Sequence, residues 1–382
     1  MFLGIGMGLL NLNTIWQKRF KKGITAIQVE DIDKDGKSEI LVGFYSGSLR
    51  VFNLDGEELW RKSLGTSSSI SYILAYDINN DGYCEILCEG ASSVLRALDW
   101  QGEELWQRKF NFSPGPIHPY DLNNDGYYEL IVGATPSRTL TVLTHNGLTL
   151  WRKTFRHSVK PEVVFDINGD ESAEIIIYER TEMTGETGII KVLNAIGNQI
   201  KKFLVKEFAA LDVADFDNDS EYEIIIGTRE GYLRVVKLDG KNLWKKKFDE
   251  SILELITWDL NADDNDEIIL KTYRRSDDTS LLAAYNNEKK PLFKRRMHDI
   301  SYFDIFDVTR DEKNEVIAIS KNGTLNILKY NGQLLLSTRI GHAIEEYGEP
   351  YKLCVSFKGK NGTPIIAVGG IDGSLQVFEI ST

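Results

Sequence analysis

Asp31-Ile32-Asp33-Lys34-Asp35-Gly36-Lys37-Ser38-Glu39-Ile40-Leu41-Val42-Gly43 is a phrase that returns along the whole chain. It recurs at Asp77–Ile86, Asp121–Leu130, Asp166–Ile175, Asp215–Ile224, Asp259–Ile268 and Asp307–Val316. An eighth copy, Phe357–Ile366, keeps a turn glycine and the apolar run but has lost its carboxylates. The steps between copies are 44–50 residues, the period of a four-stranded propeller blade rather than of a helical repeat.

Each period reads as four strands. In the first, Ile24 to Val29 forms strand A, the acidic loop follows, Glu39 to Phe44 forms B, Ser48 to Asn53 forms C, and Glu58 to Ser63 forms D after the Asp55-Gly56 turn. A turn dipeptide of this kind between alternating apolar residues is a hairpin signal. Trp16, Trp60, Trp106, Trp151, Ile200, Trp244, Phe293 and Leu335 fall at a recurring place on strand D, where a large ring or side chain would pack one blade on the next. The strand around Trp16 has no A, B or C strand before it, and the last repeat stops after its C strand near Ile380. Complementary ends of this sort predict ring closure, which removes open sheet edges.

The expected fold is therefore all-β, one eight-bladed propeller, with seven blades as the alternative. Its blades span about 21–65, 66–111, 112–156, 157–205, 206–249, 250–297, 298–341 and 342–382 with 10–20. Length alone would have suggested two or three domains for 382 residues.

Composition narrows the function. The net charge is −12, which argues against nucleic acid, since phosphate binding wants clustered positive charge. No apolar run approaches the ~20 residues of a membrane helix. Met1–Leu10 is a short apolar stretch with no preceding Lys or Arg, so it reads as mature chain and the expected location is cytoplasmic. Cys84 and Cys88 lie too far apart on an extended strand for a disulfide, and with Cys354 they form no framework, as in a reducing compartment. His118, His145, His157, His298 and His342 show no metal-ligand spacing, and no nucleophile elbow or phosphate-cradling loop is present. The expectation is a non-enzymatic protein.

The acidic loops carry the clearest chemistry. Asp31, Asp33, Asp35 and Glu39 stand at positions one, three, five and nine, with the carbonyl of Lys37 at seven and Gly36 allowing the bend at six. Calcium takes six to eight hard oxygen ligands, and alternating side chains on a tight loop can supply them. Asp77, Asn79, Asp81, Tyr83 and Glu85 repeat the pattern, as do Asp121, Asn123, Asp125, Tyr127 and Glu129; Asp215, Asp217, Asp219 and Glu223 keep the carboxylates without the glycine. Position six becomes Glu171, Ser220, Asp264 and Glu312 in later copies, and position three becomes Thr309 in the seventh. The alternative is a set of turns in which Asp and Asn bond the loop's own amides.

These phrases, together with Asp121-Leu-Asn-Asn-Asp-Gly-Tyr-Tyr-Glu-Leu-Ile-Val-Gly133, resemble the FG-GAP/VCBS-type propeller repeats of integrin α-subunit heads and many microbial proteins. Among cytoplasmic relatives the chain is similar to the propellers of the ciliary cargo-coat (BBSome) subunits. The resemblance implies protein–protein recognition and structural calcium, although position nine is Glu here where the integrin pattern has Asp. Val51 to Trp60 also resembles the Trp-docking motif of quinoprotein propellers, a likeness of architecture alone.

In antiparallel blades the A–B and C–D loops share one face, and the B–C loops and D–A connections share the other. The second face holds Phe44, Tyr45, Arg156, Arg180, Arg229, Arg274 and Arg275, along with the Phe110–His118 stretch and two longer B–C loops at 179–188 and 272–279. Aromatic and Arg-rich loops make it the expected surface for a protein partner. The competing reading is an enzyme or small-ligand binder that uses the central channel. Lys and Arg beside the D-strand aromatics read as edge protection or as a belt for anionic partners.

Overall fold

The structure is a computed structural model that describes residues 10–65, 69–90, 93–133, 136–181, 187–340, 351–356 and 363–381, with the side chains of 351–356 outside the description. Residues 357–362 of the eighth acidic-loop copy, the 182–186 part of one long loop, His342 and most of the N-terminal apolar stretch lie outside the described residues.

Strand elements account for the described secondary structure, and they assemble into eight four-stranded antiparallel sheets. Strands A to D of blade 1 are Ile24–Glu30, Glu39–Phe44, Ser48–Phe52 and Glu58–Ser63, within a residue of the positions read from the sequence. Each blade follows chain order from A to D except the eighth. There Asn11–Arg19 takes the D position beside Ser374–Ser381, with Lys18 opposite Leu375 and Trp16 opposite Val377. The ring is closed by its own N-terminal strand.

Strand A is innermost. That of blade 1 touches Ile70–Tyr76 of blade 2 and Tyr351–Ser356 of blade 8. Strand B is buried on both faces, which explains apolar runs such as Ile40-Leu41-Val42 where a half-exposed strand would alternate. Eight apolar clusters lie at the eight blade junctions; the one between blades 1 and 2 joins Leu41, Leu49 and Val51 to Ile70, Ile86 and Cys88. Cys84 and Cys88 are buried free thiols.

The aromatic series works through the next blade's C–D turn. The indole Nε1 of Trp60 donates to Trp100 O at 2.9 Å, and those of Trp16, Trp106 and Trp151 donate to Leu54 O, His145 O and Ala195 O at 2.9–3.0 Å. Lys62 reinforces the same turn by donating to Gly102 O at 2.6 Å. One member of the series is corrected, and another sits one residue out of register. A bulge between strands C and D puts Lys201 opposite Val192, and Leu336 opposite Ile327, in the register where Trp60 faces Val51. Ile200 is exposed, and Lys201 donates to Asp239 O at 2.7 Å in the place of an indole. Leu335, though out of that register, does pack blade 7 on blade 8.

Candidate functional site

All seven described acidic loops have one conformation. The position-nine glutamate accepts the position-two N–H in each: Glu39 from Ile32 at 3.1 Å, Glu85 from Ile78 at 3.0 Å, Glu223 from Phe216 at 2.9 Å, and likewise Glu129, Glu174, Glu267 and Glu315. The position-one aspartate accepts the position-six N–H, as Asp31 does from Gly36 at 3.2 Å and Asp121 from Gly126 at 2.9 Å. Glycine at position six proves dispensable to the shape, since Glu171, Ser220, Asp264 and Glu312 adopt the left-handed φ of 62–68° themselves. Position four is left-handed too, at Lys34, Asn80, Asn124 and Asn218, a requirement not evident in the residue types. Successive loops are stitched together: Cys84 N donates to Ile32 O, Tyr128 N to Ile78 O and Tyr222 N to Ile167 O. Tyr83 and Tyr127 stack on Trp100 and His145 of their own C–D turns, so A–B and C–D loops do share a face.

The loops diverge at position three. Asp31, Asp33 and Glu39 bring carboxylate oxygens within 4.8 Å of one another, as do Asp215, Asp217 and Glu223. Elsewhere an amide fills the centre: Asn79 Nδ2 donates to Glu85 Oε1 at 2.8 Å and Asn123 Nδ2 to Glu129 Oε1 at 3.4 Å. In the seventh loop Thr309 Oγ1 donates to Glu315 Oε1 at 3.1 Å. Loop five contains its own cation. Lys237, from the C–D turn of the same blade, lies 3.4 Å from Asp217, 3.6 Å from Glu223 and 3.9 Å from Glu221, and is hydrogen-bonded to Asp219. Lys329 stands at the equivalent place in blade 7, 3.6 Å from Asp311. Lys37 pairs with Asp35 at 3.6 Å, outside the three-carboxylate cluster of loop one.

Loop one therefore fits a hard divalent cation by the chemistry of its donors: Asp31, Asp33 and Glu39 converge, with Asp35 and the Lys37 carbonyl in the same turn. In loops two and three an inward amide stands at the centre, with Asp77, Asp81 and Glu85 or Asp121, Asp125 and Glu129 around it. Burial, then the neighbouring carboxylates, pushes Glu39 up to about 8, against the opposing Ile32 N–H bond. Glu85 and Glu223 are raised to about 7, burial again leading.

The other face is sorted differently. Phe44, expected at the surface, is buried edge-on against Phe20 at 4.9 Å and cannot meet a partner; strand B, which it ends, is buried on both sides. Tyr45, the next residue, is 57% exposed, and Arg156, Arg229 and Arg275 are exposed as well. Arg180 is half-buried. Arg274 is committed to its own blade: it lies 2.8 Å from Glu250 and 3.2 Å from Asp277, and Arg296 joins it on Glu250. Around the channel, inner-strand side chains tie blade to blade: Gln28 exchanges two bonds with the Ala75 backbone, Tyr72 donates to Ile117 O at 3.1 Å, and Thr257 donates to Asp212. His118 is not a surface residue; burial, then the nearby Lys160, lowers it to about 4.

Residues 31–88 match the FG-GAP-like repeat family model. Among curated proteins none matches the sequence. Solved propellers resemble the fold over nearly all of both chains. Sqt1 of Saccharomyces cerevisiae is 14% identical with a TM-score of 0.71, covering 97% of this chain and 100% of its own. BamB of Moraxella catarrhalis is 15% identical with a TM-score of 0.62, covering 96% and 97%. BBS1N, solved in complex with ARL6DN, is 12% identical with a TM-score of 0.57, covering 97% of each.

Proposed function

We propose that this eight-bladed propeller, with its FG-GAP-like repeat at residues 31–88, is a non-enzymatic scaffold that recognises a protein partner through its B–C and D–A face. One observation carries the reading: the acidic face ties up most of its carboxylates within the loops, whereas the other face leaves several interface-type side chains exposed. On the acidic face carboxylates are consumed by loop amides, by inward Asn side chains and by Lys237. On the opposite face Tyr45, Arg156, Arg229 and Arg275 are exposed, the residue types that anchor interfaces. The solved complex of BBS1N with ARL6DN supports the reading, as a propeller of the same fold bound to a protein. Calcium, in this account, is structural and confined to loop one. The location in this account is the cytoplasm, where the buried free thiols Cys84 and Cys88 stay reduced.

The test is comparative affinity capture from the native cell. A protein retained by the wild type and by an acidic-face variant, Asp125→Ala, but lost by Tyr45→Ala/Arg275→Glu would support the assignment. A partner lost only from the acidic-face variant would reverse it.

A second reading, a ligand in the channel, draws on Glu162, whose side chain is 9% exposed and whose Oε1 has no hydrogen-bond partner, and on the similarly unpartnered Nε2 of His118. Soaking crystals with metabolite mixtures would reveal density at these atoms if that reading held.

A further inference from the structure

A cavity of about 420 Å³ lies between blades 2 and 3, walled by the D–A connection from Phe110 to Pro114 and by the outer strands of blade 3. Its lining includes Arg108, Lys109, Arg138 and Arg152 and no carboxylate, in a chain whose net charge is −12. Among the described residues none of these four cations is ion-paired, whereas Arg50, Arg96, Lys191, Lys271 and Arg274 each have a carboxylate.

The repeat explains how the cavity opened. In blade 1, Arg50 on strand C pairs with Glu58 on strand D at 3.1 Å, and Glu58 also holds Arg61 at 3.5 Å. In blade 2, Arg96 pairs with Glu104 at 3.3 Å in the same register. Blade 3 has Thr141 and Thr149 at those two positions. Both the long side chain that would plug the gap and the carboxylate that would neutralise it are gone. Arg152, which corresponds to Arg61, is left without its acid. Arg108 is turned as well: its counterpart Lys62 binds a glycine carbonyl of the next blade, but Arg108 donates to Thr149 Oγ1 at 2.6 Å, inside the cavity. Ser113, on the opposite wall, is fixed by donation to the buried Glu89 at 2.8 Å, so the connection is held in place.

We propose that this cleft takes a phosphorylated residue of the protein partner, an inference that rests on the scaffold reading. Guanidinium groups bind phosphate oxygens in pairs, and several together suit a dianion better than a single carboxylate. The volume exceeds a bare phosphate and suits a side chain with its flanking backbone. Phe110, Phe112 and Pro114 supply apolar wall for that backbone, Phe112 being 46% exposed. A lipid headgroup is the poorer fit, because an anionic bilayer repels a chain of this charge and a recessed cleft does not meet a flat surface.

The experiment measures binding of short peptide libraries centred on phosphoserine, phosphothreonine or phosphotyrosine, with unphosphorylated counterparts, inorganic phosphate and phosphoinositide-containing vesicles as the other probes. The expected result is retention of a phosphorylated library alone, weakened about tenfold or more by Thr149→Glu, which restores the acid of blades 1 and 2, and preserved by Thr149→Ser. Thr141→Arg/Thr149→Glu should abolish it by refilling the gap, and melting curves should stay close to wild type, since both residues are native to this register. Equal binding of phosphorylated and unphosphorylated peptides, binding of vesicles or inorganic phosphate only, or indifference to Thr149→Glu would overturn the proposal. Partner capture that persists in Thr149→Glu while no phosphopeptide binds would remove this inference and leave the scaffold reading standing.

Discussion

Lys237 Nζ lies 3.6 Å from Oε1 of the buried Glu223, in the centre of the fifth acidic loop where a metal ion would otherwise sit. The lysine comes from strand C's far end, fourteen residues after the glutamate, so a side chain of one hairpin neutralises the loop of another. Replacing it with Gln leaves Asp215, Asp217 and Glu223 close together without a cation. Lys237→Gln should melt at lower temperature than wild type in chelator and recover on adding calcium. A variant indifferent to calcium would show that loop five cannot hold a divalent ion even when vacated.

Loop one has the same three carboxylates and no inserted lysine among the described residues, so calorimetry should find calcium binding there. Asp33→Asn, which gives loop one the position-three residue of loop two, should remove it, whereas Asp311→Ala in loop seven should not. Unchanged heats on Asp33→Asn would place the ion elsewhere.

The pH dependence follows from the position-nine glutamates. Glu85, Glu174, Glu267 and Glu315 are raised from 4.5 to about 7, burial being the leading cause. Folded chains thus hold protons that unfolded chains release between those values. The protonated form contributes stability that is complete below 4.5 and lost as pH rises through about 7. In chelator the melting temperature should fall across this window, and Glu267→Gln, which keeps an acceptor for Leu260, should reduce the fall. A melting temperature that climbs from pH 5 to 7 would contradict the assignment.

A blade junction can be tested at Trp60 and Gly102. A Cβ on Gly102 would lie 2.8 Å from the indole, at a φ of +87°. Trp60→Ala should cost about 3 kcal/mol and Gly102→Ala about 1–2 kcal/mol by denaturant unfolding. Conversely Asp264→Gly, at a left-handed φ of 62°, should be neutral or stabilising by up to about 1 kcal/mol.

Blade number and closure were legible because they depend on repetition: the acidic phrase marks each A–B junction, and Trp16 marks a D strand with no blade of its own. The register of strand D was less so. A C–D bulge shifts which residue meets the next blade, and where no Trp marks the place, as at Ile200, apolar character picked the neighbour of the true contact. Lys237 was missed because its role depends on where a C–D turn lies relative to an A–B loop, which is a matter of folding rather than of spacing. Arg274 looked like a free surface cation for the same reason; Glu250, its partner, lies 24 residues away.

The central claim is that the face carrying Tyr45 and Arg275 meets a protein and the acidic face stiffens the ring. Hydrogen exchange on the full chain, alone and saturated with its captured partner, tests this most directly. The account predicts protection at Tyr45, at Phe110–Pro114 and at the 272–279 loop, with the acidic loops unchanged. Protection confined to loops such as Asp121–Glu129 would contradict it.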